Sequence, residues 1–153
     1  MLKKAVNTIL FTMIFFVTVD QANAALPQYL YNLVLEVNNV EVTSDANPYI
    51  ERATSTTYVP IRFVSENLGE TVSWSREKQE VTIRSRNGKI VRLTIGSRVA
   101  YVNDKEKIMP GAPVMPVSPN RVMVPLRFVS EVIGATVEST SKNETIYVNI
   151  TKQ

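Results

Sequence analysis

Along much of the chain apolar and polar residues alternate with a period of two, and twice that pattern yields to a short helical one. Val72 and Trp74 alternate with Thr71 and Ser73, Val81 and Ile83 with Thr82 and Arg84, and Val91, Leu93 and Ile95 with Arg92 and Thr94. A two-residue period sends successive side chains to opposite faces, so each run predicts a strand with one buried face. Asn87-Gly88 between the last two runs predicts a tight hairpin turn, and Gly96 ends the final run. Upstream, residues 33–37 are apolar and β-prone. Asn38-Asn39 predicts a turn, because asparagine tolerates positive φ, and residues 40–42 would return from it. Tyr49-Ile50 predicts a brief pairing, and residues 56–59 lead into a helix. Pro60 suits the first turn of that helix, where a missing N–H costs nothing. Ile61, Val64 and Leu68 recur at helical spacing, with Phe63 beside them, and Gly69 sits where a left-handed cap belongs.

The same block returns. Tyr58-Val59-Pro60-Ile61-Arg62-Phe63-Val64-Ser65-Glu66-Asn67-Leu68-Gly69 is echoed by Met123-Val124-Pro125-Leu126-Arg127-Phe128-Val129-Ser130-Glu131-Val132-Ile133-Gly134, a spacing of 65 residues. That spacing also carries Val37-Asn38 onto Val102-Asn103, Pro48 onto Pro113, Thr71-Val72 onto Thr136-Val137, and Val81 and Ile83 onto Ile146 and Val148. The expected architecture is α+β: a mainly antiparallel β-sheet with two short helices, arranged as a tandem repeat over residues 33–97 and 98–153. The connections are too short for parallel crossovers. Either unit alone would bury too little apolar surface, which favours packing the two together.

The amino terminus predicts a signal peptide over residues 1–24. Lys3 and Lys4 precede an apolar run, and Ala22-Asn23-Ala24 is a small-x-small cleavage site. The run over residues 5–19 is shorter than the ~18–20 residues of a spanning helix, so membrane contact is expected only in transit. Residues 25–32 then form a flexible lead. The chain has no cysteine, so neither a disulfide nor a lipid-modified cysteine supports it outside the cell. The net charge of +3 is too small to argue for nucleic acid.

The repeated Val-Pro-[Ile/Leu]-Arg-Phe-Val-Ser-Glu-x-[Leu/Ile]-Gly-x-Thr-Val block, preceded by a Val-Asn-Asn turn, resembles the copper amine oxidase N-terminal-like, or stalk, domain of secreted Gram-positive bacterial proteins. The resemblance spans nearly all of residues 33–150. It implies antiparallel sheet wrapped around helix, and an accessory module holding neither copper nor quinone. The chain departs from the family pattern where Ser139 stands at the counterpart of the aromatic Trp74, which predicts a more open face there. It departs again where Asn38-Asn39 and Asn103-Asp104 replace the usual Asn-Gly turn.

Chemistry is sparse. Copper and zinc enzyme sites lean on imidazole and thiolate, and the chain has neither histidine nor cysteine. Met109, Met115 and Met123 are irregularly spaced and read as packing residues. Ser65 and Ser130 lack a histidine base, and their place beside Glu66 and Glu131 predicts an exposed polar helix face. No catalytic, cofactor-binding or metal residue is assigned. Arg62 and Arg127 stand out, because a cation in the first helical turn is poorly placed against the macrodipole. A carboxylate or carbonyl on a neighbouring strand is the expected partner, and an anionic ligand the alternative. Arg84, Arg86 and Lys89 make the Asn87-Gly88 hairpin the densest basic patch, a solvated turn or a contact for anionic wall polymers. With Trp74, these are the candidate binding residues. The reading is a non-enzymatic secreted or cell-surface binding or structural module, possible partners being a cell-wall polymer or another surface protein. A protease inhibitor or peptide-binding protein acting by strand addition is the alternative, and a hydrolase a weaker one.

Overall fold

The computed structural model describes residues 32–118 and 120–153. The predicted signal peptide and residues 25–31 of the lead lie outside the described residues, as does the side chain of Ser65. Among those described, three sheets and two seven-residue helices form.

The middle sheet is built from β3 (Tyr49–Glu51), β4 (Thr56–Pro60) and β10 (Met123–Pro125), in the order β10-β4-β3. β4 and β10 are antiparallel and centred on Val59 opposite Val124, with Tyr58 opposite Pro125 and Pro60 opposite Met123. Both central valines are fully buried. Tyr49 pairs with Tyr58, and 65 residues later Val114 bridges Met123. Each strand runs straight into a helix, β4 into α1 (Ile61–Asn67) and β10 into α2 (Leu126–Val132). Pro60 and Pro125 hold the N-cap positions, and Gly69 and Gly134 take positive φ just beyond the C-caps.

A second sheet orders β11 (Thr136–Lys142), β12 (Thr145–Thr151), β1 (Asn32–Val37) and β2 (Val40–Val42). A third runs in sequence from β5 (Thr71–Ser75) through β6 (Glu80–Arg84), β7 (Ile90–Thr94) and β8 (Val99–Val102) to β9 (Lys105–Ile108). The tight turns Asn38-Asn39 and Asn103-Asp104 each place two consecutive residues at positive φ, the requirement of a type I′ hairpin. Each outer sheet joins a hairpin from before residue 98 to one from after it. β7 stands between β6 and β8, whereas β12 meets β1 directly.

That direct contact corrects the expectation that parallel pairing is excluded. β1 and β12 are parallel from Asn32 opposite Thr145 to Val37 opposite Ile150. The length limit applies to connections between strands consecutive in the chain, and here nearly the whole fold is the connection.

One apolar cluster unites both halves, with Leu35, Phe63, Leu68, Ile83 and Leu93 against Leu126, Ile133, Val148 and Ile150. The Ser130 side chain corrects a second expectation. It is fully buried, not on the polar helix face, and its hydroxyl lacks a hydrogen-bond partner. Leu126, Val129 and Val132 are buried on the same helix, so the inward face of α2 is wider than the apolar spacing implied. A buried hydroxyl without a partner is destabilising, and alanine is the better helix former. Ser130→Ala is therefore expected to stabilise the fold by about 1 kcal/mol, read as a raised urea midpoint with unchanged m. A lowered midpoint would show that the hydroxyl makes a stabilising contact.

Candidate functional site

The ends of the two helices meet chain segments from the opposite halves. Beyond β12, Lys152 Nζ donates to the Leu68 carbonyl at the end of α1, at 3.0 Å. Beyond β6, Lys89 Nζ donates to the Val132 carbonyl at the end of α2, at 3.1 Å, and the Asn87 amide makes a long 3.5 Å contact with the Ile133 carbonyl. Asn87 and Lys152 are themselves 65 residues apart, as are Leu68 and Ile133. Ammonium groups here satisfy free carbonyls and lie at the favourable pole of the helix dipole. Lys152 also forms an ion pair with Glu70, whose side chain is wholly buried, and the second Glu70 oxygen accepts the Arg86 backbone N–H at 3.2 Å. Burial pushes the Lys152 ammonium below its ordinary pKa. The Arg86 guanidinium lies over Gly69, where a Cβ would stand 2.6 Å from its Nη2; the positive φ calls for glycine there, and a larger residue would also displace the flexible Arg86 side chain. A polar cavity of about 440 Å³ opens here, lined by Glu66, Arg86, Gly134 and Lys152 among others.

The basic hairpin is thus partly engaged in the fold. Lys89 is held at α2, while Arg92 bonds Asp104 at 2.8 Å and lies 5.5 Å from the Tyr101 ring centre. Arg84 and Arg86 remain exposed.

The repeated arginines share an equivalent glutamate four residues on and otherwise have different partners. Arg127 Nη1 donates to the Val137 carbonyl on β11 at 2.7 Å and lies 3.8 Å from Glu131. Arg62 lies 3.8 Å from Asp45 and 3.9 Å from Glu66, and Asp45 is held more closely by Arg121 at 2.7 Å. Both arginines are more than half exposed, so their ion pairs contribute little. Glu66 and Glu131 are exposed beside them. Met109 and Met123 are buried apart from half-exposed Met115, and among the described residues no group of three His, Cys, Asp or Glu side chains gathers for a metal.

Trp74 on β5 pairs with Val81, next to Val72 opposite Ile83, and is 38% exposed. Its counterpart Ser139 on β11 pairs with Val148, next to Val137 opposite Ile150. Ser139 lines an open groove of about 460 Å³. Leu126, Phe128, Ile146 and Val148 form its apolar wall, the turn before β4 its far side, and Arg127 borders it.

No curated protein sequence matches the chain. The sequence profile described as Copper amine oxidase N-terminal domain matches residues 36–148, from within β1 to within β12 and across both helices. By that match over most of its length, the chain belongs to the copper amine oxidase N-terminal domain family.

Proposed function

We propose that this protein is a non-enzymatic module acting outside the cytoplasm of a Gram-positive cell, where it binds or spaces other components at the surface. The observation that carries the reading is the family match over residues 36–148, to a non-catalytic, stalk-like domain. The absence of histidine and cysteine supports it, because it removes the usual bases and metal ligands. The signal-like amino terminus supports export. The 65-residue echo, together with the β4–β10 pairing centred on equivalent valines, supports descent from a tandem duplication.

The alternative of strand addition draws on the edges. β9 is exposed along its whole length, and Ile108 on it and Val40 on β2 are largely exposed. Lys105 and Lys107 weaken that edge as a template, which leaves this reading second. Fractionation of producing cells, followed by capture with residues 25–153, tests the proposal. Recovery in the wall or medium fraction is expected, with binding to a wall polymer or one surface protein. Retention in the cytoplasm would overturn it, as would hydrolase activity lost in Glu66→Gln or Glu131→Gln.

A further inference from the structure

We propose that the groove beside Ser139 binds a small aromatic carboxylate of about indole size. The inference deepens the reading of the chain as a binding module and rests on it.

The two halves differ at this wall in a decisive residue and in strand register. At the first, Trp74 lies on the strand face that also carries Val72, Val81 and Ile83. At the second, Val137 stands opposite Ile150, Ser139 opposite Val148 and Ser141 opposite Ile146, a pairing shifted by two residues from the first half, and position 139 supplies only a hydroxymethyl group. Position 139 therefore places no aromatic ring on this wall, and Phe128 is the aromatic side chain that lines it. Surrounding residues do not collapse into the space, because β11 and β12 are paired over seven positions and Leu126 is fixed in the core. A volume of about 460 Å³ lies within the range of small-molecule sites, and apolar walls with a few placed polar groups are their usual lining.

Arg127 sets the charge of the ligand. Its Nη1 is held by the Val137 carbonyl, which fixes the guanidinium at the groove. Among the described residues no hydrogen bond uses its Nε or Nη2. Glu131, more than half exposed and 3.8 Å away, neutralises it only weakly. A carboxylate reaching Arg127 gains a charge-assisted hydrogen bond while the ring covers Ile146 and Val148.

The test titrates indole-3-propionate into residues 25–153 and follows methyl resonances by NMR. Saturable one-to-one binding is expected, with the largest shifts at Leu126, Ile146 and Val148. Ser139→Trp, which supplies the missing ring, should weaken it by about tenfold or more. Ser139→Phe serves the same purpose if the larger side chain prevents folding. Indole without the carboxylate should bind about fivefold more weakly. Absence of saturation at about 10 mM ligand would overturn the proposal, as would affinity unchanged in the filled variants. Equal affinity for indole would overturn its carboxylate part. None of these failures touches the fractionation result, so the site and the surface role can fail separately.

Discussion

Lys152→Met is expected to destabilise the fold by about 3 kcal/mol, a fall of roughly 10 °C in melting temperature. The loss exceeds that of a surface ion pair because of where the partner lies. The Glu70 side chain has no exposure, and Lys152 is the cation paired with it. Without the ammonium, a carboxylate stays buried with a backbone N–H from Arg86 as its remaining support. The Leu68 carbonyl at the end of α1 loses its donor as well. Lys152 is near the end of the sequence but well held, since its backbone N–H donates to the Asn38 side chain at 3.1 Å. Coupling Lys152→Met to Glu70→Leu should recover at least half of the loss, because removing both charges removes the desolvation penalty. A double variant as unstable as the single one would show that helix capping, not charge burial, dominates.

Phe63→Ala is expected to be at least as damaging, at about 4 kcal/mol. Phe63 is 1% exposed and packs in the shared cluster, so its removal leaves a cavity walled by strands that cannot move inward. Phe128, its counterpart 65 residues on, is only partly buried and lines the open groove. Phe128→Ala should therefore cost about half as much, since solvent already reaches that side. Denaturant unfolding of the two variants measures the contrast. Equal losses would mean that the groove is closed in solution.

Local chemistry made the hairpins and helices legible. Two-residue alternation, Asn-Asn and Asn-Gly turns, and the Pro-to-Gly span of each helix act within a few residues, and the Pro-to-Gly span recurs in both halves. The parallel seam was not legible, because pairing between the two ends of the chain leaves no local signature. The burial of Ser130 is not legible because hydroxyl and carboxylate look alike in a polar pattern, while the seven-residue α2 buries more than one stripe. The capping of each helix by the opposite half was hidden for a different reason. Asn87 and Lys152 occupy equivalent positions with unlike side chains, so the spacing was present but the residues did not announce it. The Ser139 site was partly visible as a difference between halves; only the fold supplied Arg127 beside it and walls that hold it open.

The β1–β12 seam also orders folding in time. Hairpins such as β5–β6 and β11–β12 close over a few residues and form in microseconds. Asn32 and Thr145, by contrast, lie at opposite ends of the described chain and must meet before β1 gains its parallel partner. Such non-local closure is the slow step in sheet-rich proteins. The chain should therefore collect its hairpins early and lock late, when its last strand arrives. Until residues 145–151 are available it remains an unclosed set of hairpins, with the end of α1 still awaiting Lys152.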